Sequence, residues 1–133
     1  MPFALCPLPV SAANQIIEAL GAKGKIIDAV EHDRTLAATS HLPFLLASAL
    51  TLTTPDGFSS FVGTGFKSTS RVAGTSSSMM LGVLQSNREN VLNALHGLQN
   101  ELANIESALS MEDFVKLESI LNDAQTKHQI LTQ

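Results

Sequence analysis

The chain has 133 residues, room for one domain of ordinary size and too little for two. Apolar residues make up 44% and charged residues 15%, which permits a sizeable core and excludes a polyelectrolyte or a typical disordered chain. Eight Lys+Arg against 12 Asp+Glu leave a formal charge of −4, which argues against a general nucleic-acid binder. The lack of Tyr and Trp removes the usual base-stacking platforms as well.

Three zones follow one another. The first runs from Met1 to about Val30. Phe3-Ala4-Leu5-Cys6, closed by Pro7 and Pro9, reads as the end of a strand. Ser11 can cap a helix through Gly21 that carries Ile16, Ile17 and Leu20 on one face, and Lys25-Ile26-Ile27 can return as a second strand. Such a β-α-β piece is too small to cover its own sheet edges, so it reads as part of a larger sheet domain. Cys6 is the single cysteine, which excludes an internal disulfide and fits a reducing compartment.

The second zone, Glu31 to about Thr54, is rich in Ala, Leu and Ser and apolar on every side, the pattern of a buried helix. The dipeptide His32-Asp33 falls at its expected start, where an acid suits the helix dipole. Pro43 lies inside the helix and predicts a kink near His41. The apolar stretch Leu42 to Leu50 is about half a membrane span, and no secretory signal is evident, so a soluble cytoplasmic protein away from membranes is the expectation.

A connector from Gly57 to Ser78 follows, in which 14 of 22 residues are Gly, Ser or Thr. From Gly57 through Arg88 there are three cations, Lys67, Arg71 and Arg88, and no acid. Two readings stand side by side: a flexible surface loop with scattered charges, or an anion site built from hydroxyl and backbone donors near cations. From Ser78 onward the pattern is helical. Leu81, Leu84, Val91, Leu95, Leu98, Leu102, Ile105 and Leu109 recur at spacings of three and four, with only Arg88 breaking the seam. Ser110 and Asp113 resemble a capping box that opens a second helix bearing Phe114, Leu117, Leu121, Ala124, His128 and Leu131. Narrow apolar seams of this kind suit helical hairpins and helix-mediated dimers.

No HxxxH, HExxH or Cys–His spacing occurs, so no metal site is expected, and no GxSxG or P-loop is present. Gly63-Thr64-Gly65 lacks the third glycine of a dinucleotide loop, Ser68 standing in that place. His96 and His128 read as surface or packing residues. His41, two residues before a helix-interior proline, needs a partner for at least one ring nitrogen once buried.

Several motifs coincide in order: His32-Asp33-Arg34, then Ser40-His41-Leu42-Pro43, then Gly65-Phe66-Lys67-Ser68-Thr69-Ser70-Arg71-Val72-Ala73, and then Asn87 in a long helix. This order resembles the C-terminal part of the prephenate/arogenate dehydrogenase family of tyrosine biosynthesis, over nearly the whole chain. The resemblance implies a mainly α fold. Residues 31–133 would be an all-helical substrate and dimerisation domain, like the C-terminal domain of 6-phosphogluconate dehydrogenase. Residues 1–30 would be the β-α-β remnant of a Rossmann-type nucleotide-binding domain. The implied reaction is an NAD- or NADP-dependent oxidative decarboxylation: hydride leaves the ring carbon bearing the hydroxyl, carbon dioxide is lost, and the ring becomes aromatic.

Residue by residue, Arg71 matches the family arginine that binds a substrate carboxylate, a task suited to a guanidinium fork. His41 matches the SHLP histidine lining the substrate pocket, His32 the HD histidine, and Gly65 the glycine where backbone can approach a ligand. Phe44 replaces the second histidine found in many members, which suggests arogenate over prephenate. Ser68 replaces the usual Asp, and Met80 stands where many members have Trp. Neither a cofactor site nor the family's catalytic histidine lies in this chain, so it is expected to reduce no nicotinamide alone. A homodimer binding prephenate, arogenate or tyrosine is implied. A non-catalytic stand-alone dimer that binds tyrosine or a related carboxylate is the alternative, and a helical assembly domain without ligand is the plainest reading.

Overall fold

A computed structural model of the chain describes residues 10–133, which are helical with no strand among them. The chain divides into two compact units, Met1–His32 and Asp33–Gln133. The first holds helix α1 (Val10–Ala19), close to the helix expected from Ser11. Its end is a Schellman turn. The Gly21 N–H donates to the Glu18 carbonyl at 2.9 Å and the Ala22 N–H to the Ile17 carbonyl at 3.0 Å. Gly21 sits at φ +71°, a conformation that glycine adopts without penalty. The expected β-α-β piece is not seen. Lys25-Ile26-Ile27 has no regular structure, because a strand is stabilised by pairing with a neighbour and none is present among the described residues. The other expected strand, Phe3 to Cys6, lies outside the described residues.

Helix α2 (Ala29–Leu36) begins earlier than the sequence pattern suggests. The Asp28 carboxylate accepts the Glu31 N–H at 2.9 Å, so Asp28 is the cap and His32-Asp33 lie inside the helix. α2 runs without interruption through a wide π turn, Ala37–His41, into α3 (Leu42–Thr53). In the π turn the Leu42 N–H reaches back five residues to the Ala37 carbonyl. Pro43 follows directly; it has no N–H to offer and its ring crowds the carbonyl four residues earlier, so the widened turn falls where the sequence predicts a kink. Thr54 is extended ahead of Pro55, and the helix ends there.

The 25-residue helix Ala29–Thr53 is long and apolar enough to cross a membrane by length and composition. A helix apolar all round is the pattern of a buried helix, yet within α3 only Ala47 is buried, and Leu46 and Leu52 are exposed. The hydroxyls of Ser48, Thr51, Thr53 and Thr54 donate to carbonyls of their own helix at 2.8–3.0 Å, so their polarity is satisfied internally.

The connector is not a loop. It forms a 3₁₀ turn (Asp56–Phe61), helix α4 (Thr64–Ser70) and a second 3₁₀ turn (Arg71–Gly74), and α3 packs against both α4 and the second turn. Helix α5 (Ser77–Ser86) is separated from α6 (Arg88–Ser110) by a break at Asn87, with φ −118° and ψ 28°. The single long helix expected around Asn87 is therefore two helices. α6 packs against the π turn, α3 and α5 on one stretch and against α7 (Phe114–Leu131) on another.

The α6–α7 junction corrects the expected capping box. Ser110 still belongs to α6, and Asp113 is itself the cap of α7, its carboxylate accepting the Lys116 N–H at 3.0 Å. Leu117 and Ile120 of α7 are half-buried, whereas Phe114, Leu121 and Leu131 of the expected seam are exposed. The buried apolar residues are Ala37, Ala47, Met80, Val91 and Ala108, most of them small, and no large side chain is fully buried among the described residues.

Candidate functional site

Two polar side chains are buried in the second unit, His41 at 6% exposure and Asn87 at 7%, and they face each other. His41 closes the π turn; Asn87 occupies the α5–α6 break. Both backbone irregularities thus deliver a polar side chain to one place. The Asn87 Nδ2 donates to the Asp33 backbone carbonyl at 2.6 Å and lies 3.4 Å from His41 Nδ1. The Asn87 Oδ1 accepts from Asn90 Nδ2 at 2.8 Å. Beside this cluster is a polar cavity of about 350 Å³ lined by Asp33, Gln85, Ser86, Asn87, Arg88, Glu89 and Asn90.

No buried side-chain nitrogen or oxygen lacks a hydrogen-bond partner among the described residues. His41 bonds only through Nδ1, so Nε2 must reach the surface. The arrangement can present one ring nitrogen to a ligand while the other is held from inside.

Arg71 is placed differently. It opens the 3₁₀ turn packed on α3, is exposed, and its guanidinium makes no hydrogen bond among the described residues. Gly65, in the first turn of α4, is also exposed, and a Cβ added there would meet nothing within 4 Å. The surroundings of Gly65 within the chain do not require glycine. His32 is an exposed residue of the first unit, on α2. The structure therefore joins His41 to Asn87 and gathers neither Arg71 nor Gly65 into the polar cavity. Asn87 belongs in the cluster although sequence reasoning gave it no role. The available signal was its place in the motif order, at a position where a helical seam is interrupted by Arg88.

Two apolar cavities flank α3 and α4. One of about 320 Å³ is lined by Leu42, Pro43, Leu46, Ser68, Val72 and Leu98 among others. The other, of about 410 Å³, lies between Thr54, Phe58, Phe61, Val62, Gly63 and Phe66. Of the connector's hydroxyls, two are engaged by their own helix: Thr69 donates to the Gly65 carbonyl at 3.0 Å and Ser70 to the Phe66 carbonyl at 2.8 Å. Lys67 and Arg71 of this segment are exposed.

Residues 28–123 match the family model described as prephenate dehydrogenase, dimerization domain. The prephenate dehydrogenase of Lactococcus lactis is 28% identical over 124 residues, covering 89% of this chain and 35% of that protein. Among solved structures, the arogenate dehydrogenase of Synechocystis superposes with a TM-score of 0.81 at 22% identity, covering 95% of this chain and 48% of that one. The prephenate dehydrogenase of A. aeolicus, in complex with hydroxyphenyl propionate and NAD+, gives 0.79 at 25% identity, covering 92% and 45%. The chain thus spans about a third of the curated relative and under half of each solved one. This chain belongs to the prephenate dehydrogenase dimerization-domain family.

Proposed function

We propose that the chain is the substrate-side and dimerisation portion of a prephenate or arogenate dehydrogenase, acting as a homodimer. The observation that carries this reading is the His41–Asn87 cluster inside a segment that matches the family model. A buried imidazole with one nitrogen held from inside and the other at the surface is a directional contact for a ligand oxygen. Arg71, exposed and without an internal partner, supplies a guanidinium for a carboxylate. The relative solved with hydroxyphenyl propionate shows that a protein of this fold accommodates a phenyl carboxylate.

The same relative holds NAD+, and its family chemistry needs a nicotinamide. The described residues do not fit that group. Gly63-Thr64-Gly65 leads into a seven-residue helix from a 3₁₀ turn, not from a strand, and cannot cradle a pyrophosphate as a strand–turn–helix does. No hydride step is therefore assigned to this chain. Its own residues bind and orient the substrate acids.

Calorimetric titration of hydroxyphenyl propionate, prephenate, arogenate and tyrosine into the chain tests the reading. Binding of at least one, weakened about tenfold or more by Arg71→Ala, is expected, since a charge-assisted hydrogen bond contributes roughly 1.5–3 kcal/mol. Absence of binding by all four would leave only an assembly role. Nicotinamide reduction is expected to be nil for the chain alone with either substrate, and robust turnover would contradict the assignment.

A further inference from the structure

We infer that Asn87 is a positioning residue that holds His41 in the tautomer with its proton on Nε2, so that the nitrogen at the surface is a hydrogen-bond donor to a ligand oxygen. The inference rests on the reading of His41 as a ligand contact, but the tautomer itself does not.

The argument begins from an atom whose role is fixed. The Asp33 backbone carbonyl can only accept, and an amide atom of Asn87 lies 2.6 Å from it. That atom must be the nitrogen. The other end agrees, since Oδ1 accepts from Asn90 at 2.8 Å. The orientation of the Asn87 amide is thus set by two partners outside the imidazole. Its nitrogen carries a second hydrogen and lies 3.4 Å from His41 Nδ1. A donor aimed at Nδ1 requires a lone pair there; the opposite tautomer would set N–H against N–H. At 3.4 Å this is a long bond, so it selects orientation more than it adds stability. The proton then resides on Nε2, the ring nitrogen at the surface, without a partner among the described residues. A donor at that point suits the carboxylate or ketone oxygens of a ligand and repels an ammonium.

Nitrogen-15 NMR of the histidine-labelled chain reads the tautomer directly, with His41→Gln to assign the signals. His41 should show a lone-pair nitrogen at Nδ1 and a protonated Nε2, while the exposed His96 and His128 exchange between forms. Asn87→Asp replaces the donor by an acceptor and should shift the proton to Nδ1. It should also weaken hydroxyphenyl propionate about tenfold or more, with helicity retained. A protonated Nδ1 in the unsubstituted chain, or averaging like that of His96, would overturn the inference even if Asn87→Asp failed to fold. Failure of the unsubstituted chain to bind the probe would instead overturn the substrate-site reading, and the tautomer signal would decide the Asn87 assignment by itself.

Discussion

At the scale of single residues, burial separates what His41, Arg71 and Gly65 should do when changed. Arg71 is exposed and bonds nothing among the described residues, so Arg71→Ala should alter stability by no more than about 0.5 kcal/mol. Its effect should fall on ligand affinity. His41→Ala should differ in kind. It removes a buried side chain and the Nδ1 acceptor 3.4 Å from Asn87, and a buried donor left without its acceptor costs about 1–3 kcal/mol. Denaturant titration of the two variants side by side checks the contrast, and equal losses would show that Arg71 has a structural role. Gly65→Ala discriminates further. Its site in α4 has open space for a Cβ and φ is not positive, so helix propensity should stabilise the variant by up to about 1 kcal/mol. If ligand approaches that backbone, the same variant should bind less tightly, which thermal melting and calorimetry together would reveal.

At the scale of elements, the α6–α7 turn stores strain. The Glu112 N–H donates to the Leu109 carbonyl at 3.1 Å and the Asp113 N–H to the Ala108 carbonyl at 2.9 Å, the bonds of a Schellman turn. Glu112 holds the left-handed position at φ 54°, where an L side chain costs about 1–2 kcal/mol. Glycine removes that penalty and adds back roughly 0.5–1 kcal/mol of chain entropy, so Glu112→Gly should stabilise by about 0.5–1 kcal/mol. Asp113→Ala, which deletes the cap on the Lys116 N–H, should cost about 1 kcal/mol, and chemical denaturation would resolve both signs. This turn also shows what local pattern can specify. The sequence places a helix boundary near Ser110, but cap identity depends on which residue leaves helical geometry, and that residue lies three positions on. Spacing of leucines located α6 and α7 well. The π turn was legible from Pro43, whereas the break at Asn87 was not, because the leucine spacing runs on past it and the contact that Asn87 makes with His41 joins residues 46 apart in the chain. The connector misled for another reason: Ser and Thr look like loop formers, yet with Thr69 and Ser70 bonding the preceding turn and α3 packed against the segment they sit in a helix. Of the site, His41 was legible from its place beside a proline, whereas its partner was not, since an asparagine at a helix junction is locally unremarkable.

At the scale of the whole molecule, few side chains of the second unit are completely buried. Its buried apolar residues are three alanines, one methionine and one valine. A domain of this size must offset about 1–2 kcal/mol of backbone entropy per residue, and alanine burial contributes little toward it. Large apolar side chains remain uncovered along α6 and α7: Leu102 is 50% exposed, Leu121 57% and Phe114 63%. A second copy covering these faces would supply the missing burial, in keeping with the dimerization-domain match. Folding should then be second order in chain. Each tenfold rise in concentration should add about 1.4 kcal/mol to the stability of the dimer, seen as a rising melting temperature. Leu121→Asp and Leu102→Asp sharpen the test. On a free monomer surface such changes alter stability by about 0.5 kcal/mol or less, whereas a carboxylate forced into an apolar interface should dissociate or unfold the chain. Sedimentation across a concentration series reads both outcomes. A monomer at micromolar concentration with a melting temperature independent of concentration would mean that these faces carry no interface, and that the thin core is stabilised by something other than a second copy.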